Sequence, residues 1–422
     1  METLLFSSGH HETRRPDEHQ MRMRKRGLIF LLCAMMLAVS AVSFAEYSTL
    51  RPGDSGEEVR ELKKRLQELR YIKDTADLTK KYTDSTAEKV REFQQMNGLP
   101  ETGEADEATL ALLYSDDAVK KPYPTMPPLA EQAEKPVPDW PERDGEGFLA
   151  GEEASYVYEN DEAGLWVYLS RKLQIVINRY EDDSIPLVWF ETDIRTREDE
   201  TFRTVQTDPE RPGKRFQYPD VIATDAGLVL GLSDDFFAVR MDDGETVGII
   251  IRERKIISTD TYRKNGHHLP NLDMMAQYPD GSLQVYTCNE ITAEELLEKG
   301  AVNVFSFGPL LIRDGEINDL VYRYYRDTEP RHALGMIELH HYLVLSVQGR
   351  NKESKGTNLQ RVAEMMQERG VTQALNLDGG NTMALVFRGR MLNKLAVYKN
   401  RAFVRTVTSL IGIGYEPEAP QE

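Results

Sequence analysis

A proline-rich stretch divides the chain into two parts that follow different patterns. Seven prolines fall within residues 118–150, with few apolar residues between them. This composition favours an extended, semi-rigid spacer over a folded element. Apolar residues recur at helical spacing before the stretch and alternate with polar residues in short runs after it. We therefore predict an α+β protein with a small three-helix domain (46–117), a linker (118–150) and a larger strand-dominated domain (151–416).

The first 45 residues have the pattern of an export signal. Four basic residues precede an apolar run at 28–42, and Ser43-Phe44-Ala45 places small residues at the two positions that a signal peptidase reads. We predict an exported protein. The alternative is an uncleaved membrane anchor over residues 27–45, because the apolar run approaches membrane-spanning length.

Charge and cysteine content argue against a nucleic-acid-binding protein and against a fold stabilised by disulfides. The formal net charge is −18 at pH 7, so the phosphates of a nucleic acid would be repelled. Of the two cysteines, Cys33 lies in the leader, which leaves Cys288 without an internal disulfide partner. The histidines lack the spacing of metal ligands, so we expect no metal and no cofactor, although the carboxylates of Asp242-Asp243 could bind calcium weakly.

The first domain contains an ordered set of glycine and apolar positions. The pattern Gly-x-x-Gly-x-x-Val-x-x-Leu begins at Gly53, and Thr-x-x-x-Val-x-x-Phe-Gln begins at Thr86. Gly98-Leu99 and Gly103 follow. Together they resemble the three-helix peptidoglycan-binding domain of bacterial wall hydrolases. The resemblance implies that residues 46–117 bind cell-wall glycan or stem peptide.

Short runs of alternating apolar and polar residues predict strands in the larger domain. The predicted strands are 165–168, 173–177, 187–190, 221–223, 247–251 and 283–286. Two helices are predicted there. One begins after Thr292 and ends at Gly300, and the other begins at Thr357, which has Gln360 three residues later as in a capping box.

After the second helix, residues 375–382 place a carboxylate at the end of a short apolar strand. Asp378 is followed by two glycines and two small polar residues. Glycines let backbone approach a ligand closely and leave peptide N–H groups available to an anion. The pattern shows no packing role for these glycines. By itself the stretch also fits an Asp-Gly turn between strands at 374–377 and 383–387.

Four sequence islands, taken together, resemble the phosphodiester glycosidase family over roughly residues 155–415. They are 223–237, 305–315, Arg331-x-Ala-x-Gly with Gly349-Arg350, and Asn376-Leu377-Asp378-Gly379-Gly380 with Asn393. Members of this family cleave a sugar from a phosphodiester at the anomeric position. One island departs from the family, since Ser233-Asp234-Asp235 stands where many bacterial members have Asn-Gly-Asp.

The resemblance implies a site for a sugar-1-phosphate diester. Arg331 would bind the phosphate through its guanidinium, and Asp378 would be the nucleophile or general base. Asp235 would be a second carboxylate that orients the substrate or assists proton transfer. The remaining predicted substrate-binding residues are Gly379, Gly380, Asn381, Thr382, Asn376, Arg350 and Gly308.

We therefore predict an exported hydrolase of the cell wall. It would cleave sugar-1-phosphate diesters, of the N-acetylglucosamine-1-phosphodiester kind, in envelope glycopolymers. A non-catalytic surface module that binds phosphorylated glycans is an alternative, favoured by the changed residues at Ser233 and Asp234. An ordinary glycosidase with two carboxylates is a second alternative.

Overall fold

The contacts of the chain define two compact units, residues 1–123 and 124–422. The computed structural model describes residues 48–73, 76, 78–123, 126–235, 248–261, 272–324 and 327–415. The predicted export signal within residues 1–45 lies outside the described residues. So do Phe236-Phe237 and the Asp242-Asp243 pair.

The described residues include neither a helix that could span a membrane nor a cluster of side chains that could hold a metal ion. None of the helices in this part of the chain is long and apolar enough to cross a membrane. The same residues contain no group of three or more His, Cys, Asp or Glu side chains that could hold a metal ion.

The described residues of the smaller unit form three helices: α1 (Glu57–Glu68), α2 (Asp84–Met96) and α3 (Glu107–Leu113). Thr83 caps α2 through a reciprocal capping box with Thr86. Gln94 then fixes the turn that follows, because its amide donates to the Glu104 carbonyl at 2.8 Å and accepts from the Gly103 N–H at 2.9 Å. The predicted three-helix architecture is confirmed.

The larger unit consists mainly of antiparallel sheets, which confirms the predicted α+β class. Its described strands are β1 (Tyr156–Asn160), β2 (Leu165–Leu169), β3 (Leu173–Asp182), β4 (Leu187–Thr196), β5 (Arg203–Gln206), β6 (Leu228–Ser233), β7 (Gly248–Arg252), β8 (Lys255–Asp260), β9 (Met274–Gln277), β10 (Leu283–Tyr286), β11 (Asn303–Ser306), β12 (Leu310–Arg313), β13 (Glu316–Ile317), β14 (Arg331–Glu338), β15 (His341–Val347), β16 (Gln373–Leu377), β17 (Leu385–Phe387), β18 (Arg390–Met391), β19 (Val397–Tyr398), β20 (Arg401–Ala402) and β21 (Ser409–Tyr415).

These strands form three larger sheets and one hairpin. A nine-stranded sheet has the order β1-β2-β3-β4-β15-β14-β16-β12-β13. Two five-stranded sheets have the orders β10-β9-β11-β7-β8 and β18-β17-β6-β21-β5, and β19 pairs with β20.

Four helices of the larger unit lie in its described residues. They are α4 (Pro219–Asp225), α5 (Ala293–Glu298), α6 (Asp319–Tyr324) and α7 (Leu359–Glu368). The strand predicted at 221–223 is wrong, because these residues belong to α4, which Pro219 starts. The capping residue predicted for α7 is also wrong. Asn358, one residue after Thr357, accepts the hydrogen bond from the Arg361 N–H.

Strands β14 and β16 are covered on both faces, so the middle of the large sheet is fully buried. On one face, Leu334 and Leu375 pack in a core shared with Leu230 of β6 and Ile411 of β21. On the other face, Ala333 packs in a second core with residues of α7. The end of these two strands is therefore a rigid platform.

From residue 126 onward, the proline-rich stretch packs on the rest of the larger unit. Leu129 packs against the core that contains α7, and Arg361 donates to the Pro127 carbonyl at 2.5 Å. Lys135 donates to the Ala163 carbonyl at 2.8 Å. These contacts differ from the spacer expected from composition, because α7 satisfies the Pro127 carbonyl, the Lys135 side chain donates to the rest of the unit, and Leu129 packs against its core.

Candidate active site

The register of the central strands places Asp378 and Arg331 at the same end of the large sheet. His332 of β14 is paired with Leu377 of β16, so Arg331 and Asp378 are the next residues at that end. The two strands are antiparallel, and residues opposite each other in such a pair lie close together. The Asp378 side chain is buried, with 8% of the residue exposed.

The two glycines after Asp378 have different reasons to be glycine. A Cβ on Gly379 would lie 2.4 Å from the Pro330 carbonyl oxygen, so no other residue fits without moving the backbone. Gly380 has φ +58°, and its N–H donates to the same carbonyl at 3.0 Å. The expectation that the glycines lack a packing role is therefore wrong for Gly379, because its missing side chain makes room for the strand that carries Arg331.

Two peptide N–H groups of the bend are available to a ligand. Within the described residues, neither the Gly379 N–H nor the Asn381 N–H forms a hydrogen bond, whereas the Gly380 N–H is used by Pro330. Such pairs of backbone donors favour anions. Two buried side-chain oxygens of the same region, Asn376 Oδ1 and Thr382 Oγ1, also have no hydrogen-bond partner among the residues described. Buried polar atoms of this kind point to a polar ligand or water.

The stretch that departs from the family touches the bend directly. The Asp378 N–H donates to the Asp234 carbonyl at 3.1 Å, and the Ser233 hydroxyl donates to the Asp378 carbonyl at 3.3 Å. The same hydroxyl accepts from the Ala384 N–H at 3.2 Å. The sequence places these segments 145 residues apart, and the fold brings them into contact.

The carboxylate of Asp235 faces a buried arginine. Its Oδ2 lies 2.7 Å from Arg252 Nη2 and accepts from the Ser306 N–H at 3.2 Å. Asp234 Oδ2 lies 3.6 Å from the same guanidinium nitrogen and accepts a hydrogen bond from Ser409. All four side chains are buried, so the cluster fastens the end of β6 to β7, β11 and β21.

Two guanidinium groups belong to the region of the bend. Arg350 has its Nε 2.5 Å from Glu329 Oε2, and its Nη1 donates to Asn381 Oδ1 at 3.0 Å. A Cβ on Gly380 would lie 3.6 Å from that same nitrogen. Arg331 donates to the carbonyls of Thr357 and Asp327, at 3.1 and 2.6 Å. The Arg350 guanidinium therefore contacts the bend through Asn381.

Two predicted substrate-binding side chains also hold the local backbone. The Asn381 amide donates to the carbonyls of Ala396 and Phe403, at 2.6 and 3.0 Å. The Asn376 amide donates to the Gly308 carbonyl at 2.8 Å, and the Gly308 N–H donates to the Asn376 carbonyl at 3.1 Å. These bonds tie the bend to two neighbouring loops.

His332 is a buried residue of the site that the sequence patterns did not single out. Its Nδ1 lies 2.9 Å from the Ser346 hydroxyl, and its Nε2 has no hydrogen-bond partner in the described part of the chain. Burial lowers the pKa of His332 to about 3, so the ring is neutral at ordinary pH. The sequence signal that could have identified His332 is its position inside the Arg331-x-Ala-x-Gly motif, on a largely buried strand.

Comparison with known proteins agrees with both resemblances. Residues 226–414 match the family model of the phosphodiester glycosidases. Residues 55–113 match the model of a peptidoglycan-binding domain. Each match thus falls within one unit, the phosphodiester glycosidase match in the larger unit and the peptidoglycan-binding match in the smaller one.

Individual relatives are distant. A prophage-derived uncharacterized protein of Bacillus subtilis, YomE, is 27% identical over 169 residues, which are 39% of this chain and 26% of that protein. The catalytic domain of a zebrafish N-acetylglucosamine-1-phosphodiester alpha-N-acetylglucosaminidase, auto-inhibited by its pro-peptide, is similar with 18% identity and a TM-score of 0.43, over 63% of this chain and 90% of that one. A hypothetical protein from Synechocystis has 14% identity and a TM-score of 0.41, over 58% of this chain and 63% of that one.

Proposed function

We propose that this protein is a cell-wall-associated phosphodiester glycosidase. It removes a sugar from a sugar-1-phosphate diester, of the N-acetylglucosamine-1-phosphodiester kind, in envelope glycopolymers. The observation that supports this most is the bend at 378–381. The buried carboxylate of Asp378 is followed there by two peptide N–H groups without a partner among the described residues, and the Arg350 guanidinium donates to the Asn381 side chain. This bend lies inside the segment that matches the phosphodiester glycosidases.

The proposed reaction needs a carboxylate at the anomeric carbon and donors around the phosphate. Asp378 acts as a nucleophile, or as a base that removes a proton from the attacking water. The bond between the anomeric carbon and the phosphate oxygen breaks, and its electron pair leaves with the phosphate monoester. This leaving group is already stable as an anion, so strong protonation by a second acid is not required.

Two kinds of donor would hold the phosphate. Arg350 and Arg331 supply guanidinium groups, whose planar geometry suits phosphate oxygens. The N–H groups of Gly379 and Asn381 supply backbone donors that need no reorganisation during the reaction. Asn376 and Thr382 contribute the buried oxygens that accept hydrogen bonds from sugar hydroxyls.

Asp235 has a different proposed role from the one its motif suggests. Its carboxylate already accepts from Arg252 and from the Ser306 N–H. We therefore treat Asp235 as a positioning residue that orders the end of β6, which in turn contacts Asp378 through Asp234.

The test compares the parent with Asp378→Asn on a synthetic N-acetylglucosamine-1-phosphate diester. We expect the release of free sugar to fall by about a hundred- to ten-thousand-fold, which is the usual contribution of a positioned acid–base group. Glu353→Gln is the matched control, because Glu353 is an exposed acid that pairs with Lys394. Equal release by the parent and Asp378→Asn would refute the proposal, as would no release by the parent across a panel of sugars.

One observation favours a non-catalytic module that binds phosphorylated glycans. The carboxylate of Asp235 is buried and paired with Arg252, which leaves Asp378 as the proposed reactive acid. A binding module would retain the diester with unchanged affinity in Asp378→Asn and would release no sugar. An ordinary glycosidase would instead hydrolyse an uncharged aryl glycoside and be indifferent to Arg331→Ala.

The location is proposed from the peptidoglycan-binding domain together with the predicted export signal. The peptidoglycan-binding domain would hold the protein at the wall, and residues 1–45 would direct its export. Contact with a membrane would occur only through residues 27–45, if that segment is not cleaved.

A further inference from the structure

A short hairpin stands beside the bend and is fastened to it. It consists of β19, the turn Lys399-Asn400 and β20, and we call it the basic hairpin. The Asn381 amide donates to the carbonyls of Ala396 and Phe403, the residues that flank the hairpin on its two sides. The Val397 N–H donates to the Arg350 carbonyl at 3.0 Å. Two predicted substrate-binding residues therefore fix the base of the hairpin.

The hairpin carries a charge opposite to that of the protein. It contains two of the four Lys or Arg residues of the surrounding segment 391–415, which has no Asp or Glu, whereas the whole chain has a net charge of −18. Lys399 and Arg401 are exposed, and among the described residues neither forms an ion pair. Tyr398 is 45% exposed, with the Lys399 ammonium 5.3 Å from its ring centroid.

The turn places its lysine in an unusual backbone conformation. Lys399 has φ +48° and Asn400 has φ +62°, the signs that a two-residue type I′ turn requires at both central positions. Asparagine suits this region, whereas lysine has no intrinsic preference for it. A lysine kept at the tip of a tight turn directs a cation to solvent at a fixed place.

We propose that the basic hairpin binds the sugar-phosphate unit next to the one being cleaved. The inference rests on the proposed function and specifies its substrate as a polymer with repeated negative charges rather than a single diester. Lys399 and Arg401 pair with the next phosphate, and the exposed face of Tyr398 packs against the next sugar ring. Because Asn381 and Arg350 fix the hairpin base, this second contact lies in register with the bend.

The test measures two substrates with the full chain. One is a synthetic tetramer of N-acetylglucosamine 1-phosphate units, and the other is the single diester. We expect the double variant Lys399→Gln, Arg401→Gln to raise the KM for the tetramer about tenfold and to leave kcat/KM for the single diester within about twofold. The difference should shrink as salt is added, since exposed charges are screened.

The hairpin of β7 and β8 supplies a matched control. Its turn residues Glu253 and Arg254 also have positive φ values, of 50° and 64°, and Arg254 and Lys255 are exposed cations. Arg254→Gln, Lys255→Gln removes the same charge from a similar turn. The same loss in this control, or an equal loss on both substrates in the Lys399 and Arg401 variant, would overturn the proposal.

Failure of the proposed function gives a separate result. If the parent cleaves neither substrate, the hydrolase reading fails, and the affinity for the uncleaved tetramer then tests the hairpin. Weaker tetramer binding in the Lys399 and Arg401 variant, with a neutral chitotetraose as the reference ligand, supports a polyanion-binding hairpin. Equal tetramer affinity in the parent and the variant contradicts it. Thermal unfolding at the parental temperature shows that the variant is folded.

Discussion

Asp235 is a residue whose position follows from its motif but whose partner does not. The sequence places it near the bend, and the backbone contact between Asp234 and Asp378 agrees with that. Its partner Arg252 lies on β7, beyond residues 236–247, and no spacing rule connects the two. Motifs indicate which segments meet, whereas the direction of each side chain depends on pairings that only the fold provides.

Gly379 also shows what sequence patterns leave out, in this case a packing contact rather than the partner of a side chain. A glycine pair next to an aspartate predicts a bend with available N–H groups, and this holds for Gly379 and Asn381. The contact with the Pro330 carbonyl is invisible in the sequence, because it arises from the pairing of strands that are separated by α7. The sequence thus predicts the bend and its available N–H groups, whereas the packing contact of Gly379 depends on the fold.

The burial of His332 predicts how the stability of the folded protein changes with pH. Its pKa is about 3 in the folded protein, against an ordinary value of 6.5, because it is buried. As pH falls below 6.5 the unfolded chain takes up this proton first, so the folded state loses stability. Between pH 7 and pH 5 this group lowers the free energy of unfolding by about 2 kcal/mol.

The measurement compares the parent with His332→Gln in urea unfolding at both pH values. We expect the variant to lose about 2 kcal/mol less than the parent on acidification. His340→Gln, at the turn between β14 and β15, is the control and should behave as the parent does. Parallel pH dependence in the parent and His332→Gln would show that the buried ring does not resist protonation.

The secondary structure elements were predictable where a pattern was long, and less so where it was short. The three helices of the smaller unit and the helix α7 have clear apolar spacing. The segment 221–223 is too short to distinguish a strand from one helical turn, and Pro219 decides for the helix. The order of the nine-stranded sheet was beyond prediction, since it pairs β4 with β15 and β12 with β16 across long stretches of sequence.

The proline-rich segment makes a prediction about domain limits. Phe148 and Leu149 are 4% and 3% exposed, and Leu129 packs against the core that contains α7. A chain beginning at residue 151 should therefore be less stable than one beginning at residue 124. We expect a difference of at least about 2 kcal/mol, because burying one Phe or Leu side chain contributes roughly 1.5–3 kcal/mol.

Urea unfolding of the two fragments, followed by tryptophan fluorescence, measures this difference. A third fragment that begins at residue 124 and carries Val137→Ser is the control, because Val137 is 82% exposed and should contribute little. Unfolding midpoints that coincide for the 124 and 151 fragments would mean that the segment adds no stability.

At the scale of the whole molecule, the proposed function assigns wall binding to the smaller unit and hydrolysis to the larger one. A chain lacking residues 1–123 should lose its affinity for purified peptidoglycan and keep its kcat/KM on the soluble diester within about twofold, since each unit has its own core. Co-sedimentation with peptidoglycan and a sugar-release assay measure the two properties. Asp378→Asn in the full chain should show the reverse pattern.

Either of two results would contradict this division. Retained sedimentation of the shortened chain would place wall binding in the larger unit. A large loss of kcat/KM on the soluble diester would mean that hydrolysis needs the smaller unit as well.

The contacts of the bend also set the time at which the site forms. Asp378 is held by Ser233 and Asp234, and Ser233 in turn accepts from the Ala384 N–H, across separations of about 145 to 151 residues. Contacts between such distant segments form late, because the long intervening chain must first be ordered. The smaller unit, in contrast, is made early, and its described backbone hydrogen bonds span at most about 55 residues, between Leu50 and Ala105. Under the proposed function, an exported chain would therefore bind the wall before it is competent for chemistry, and enzymatic activity would report that the whole larger unit has folded.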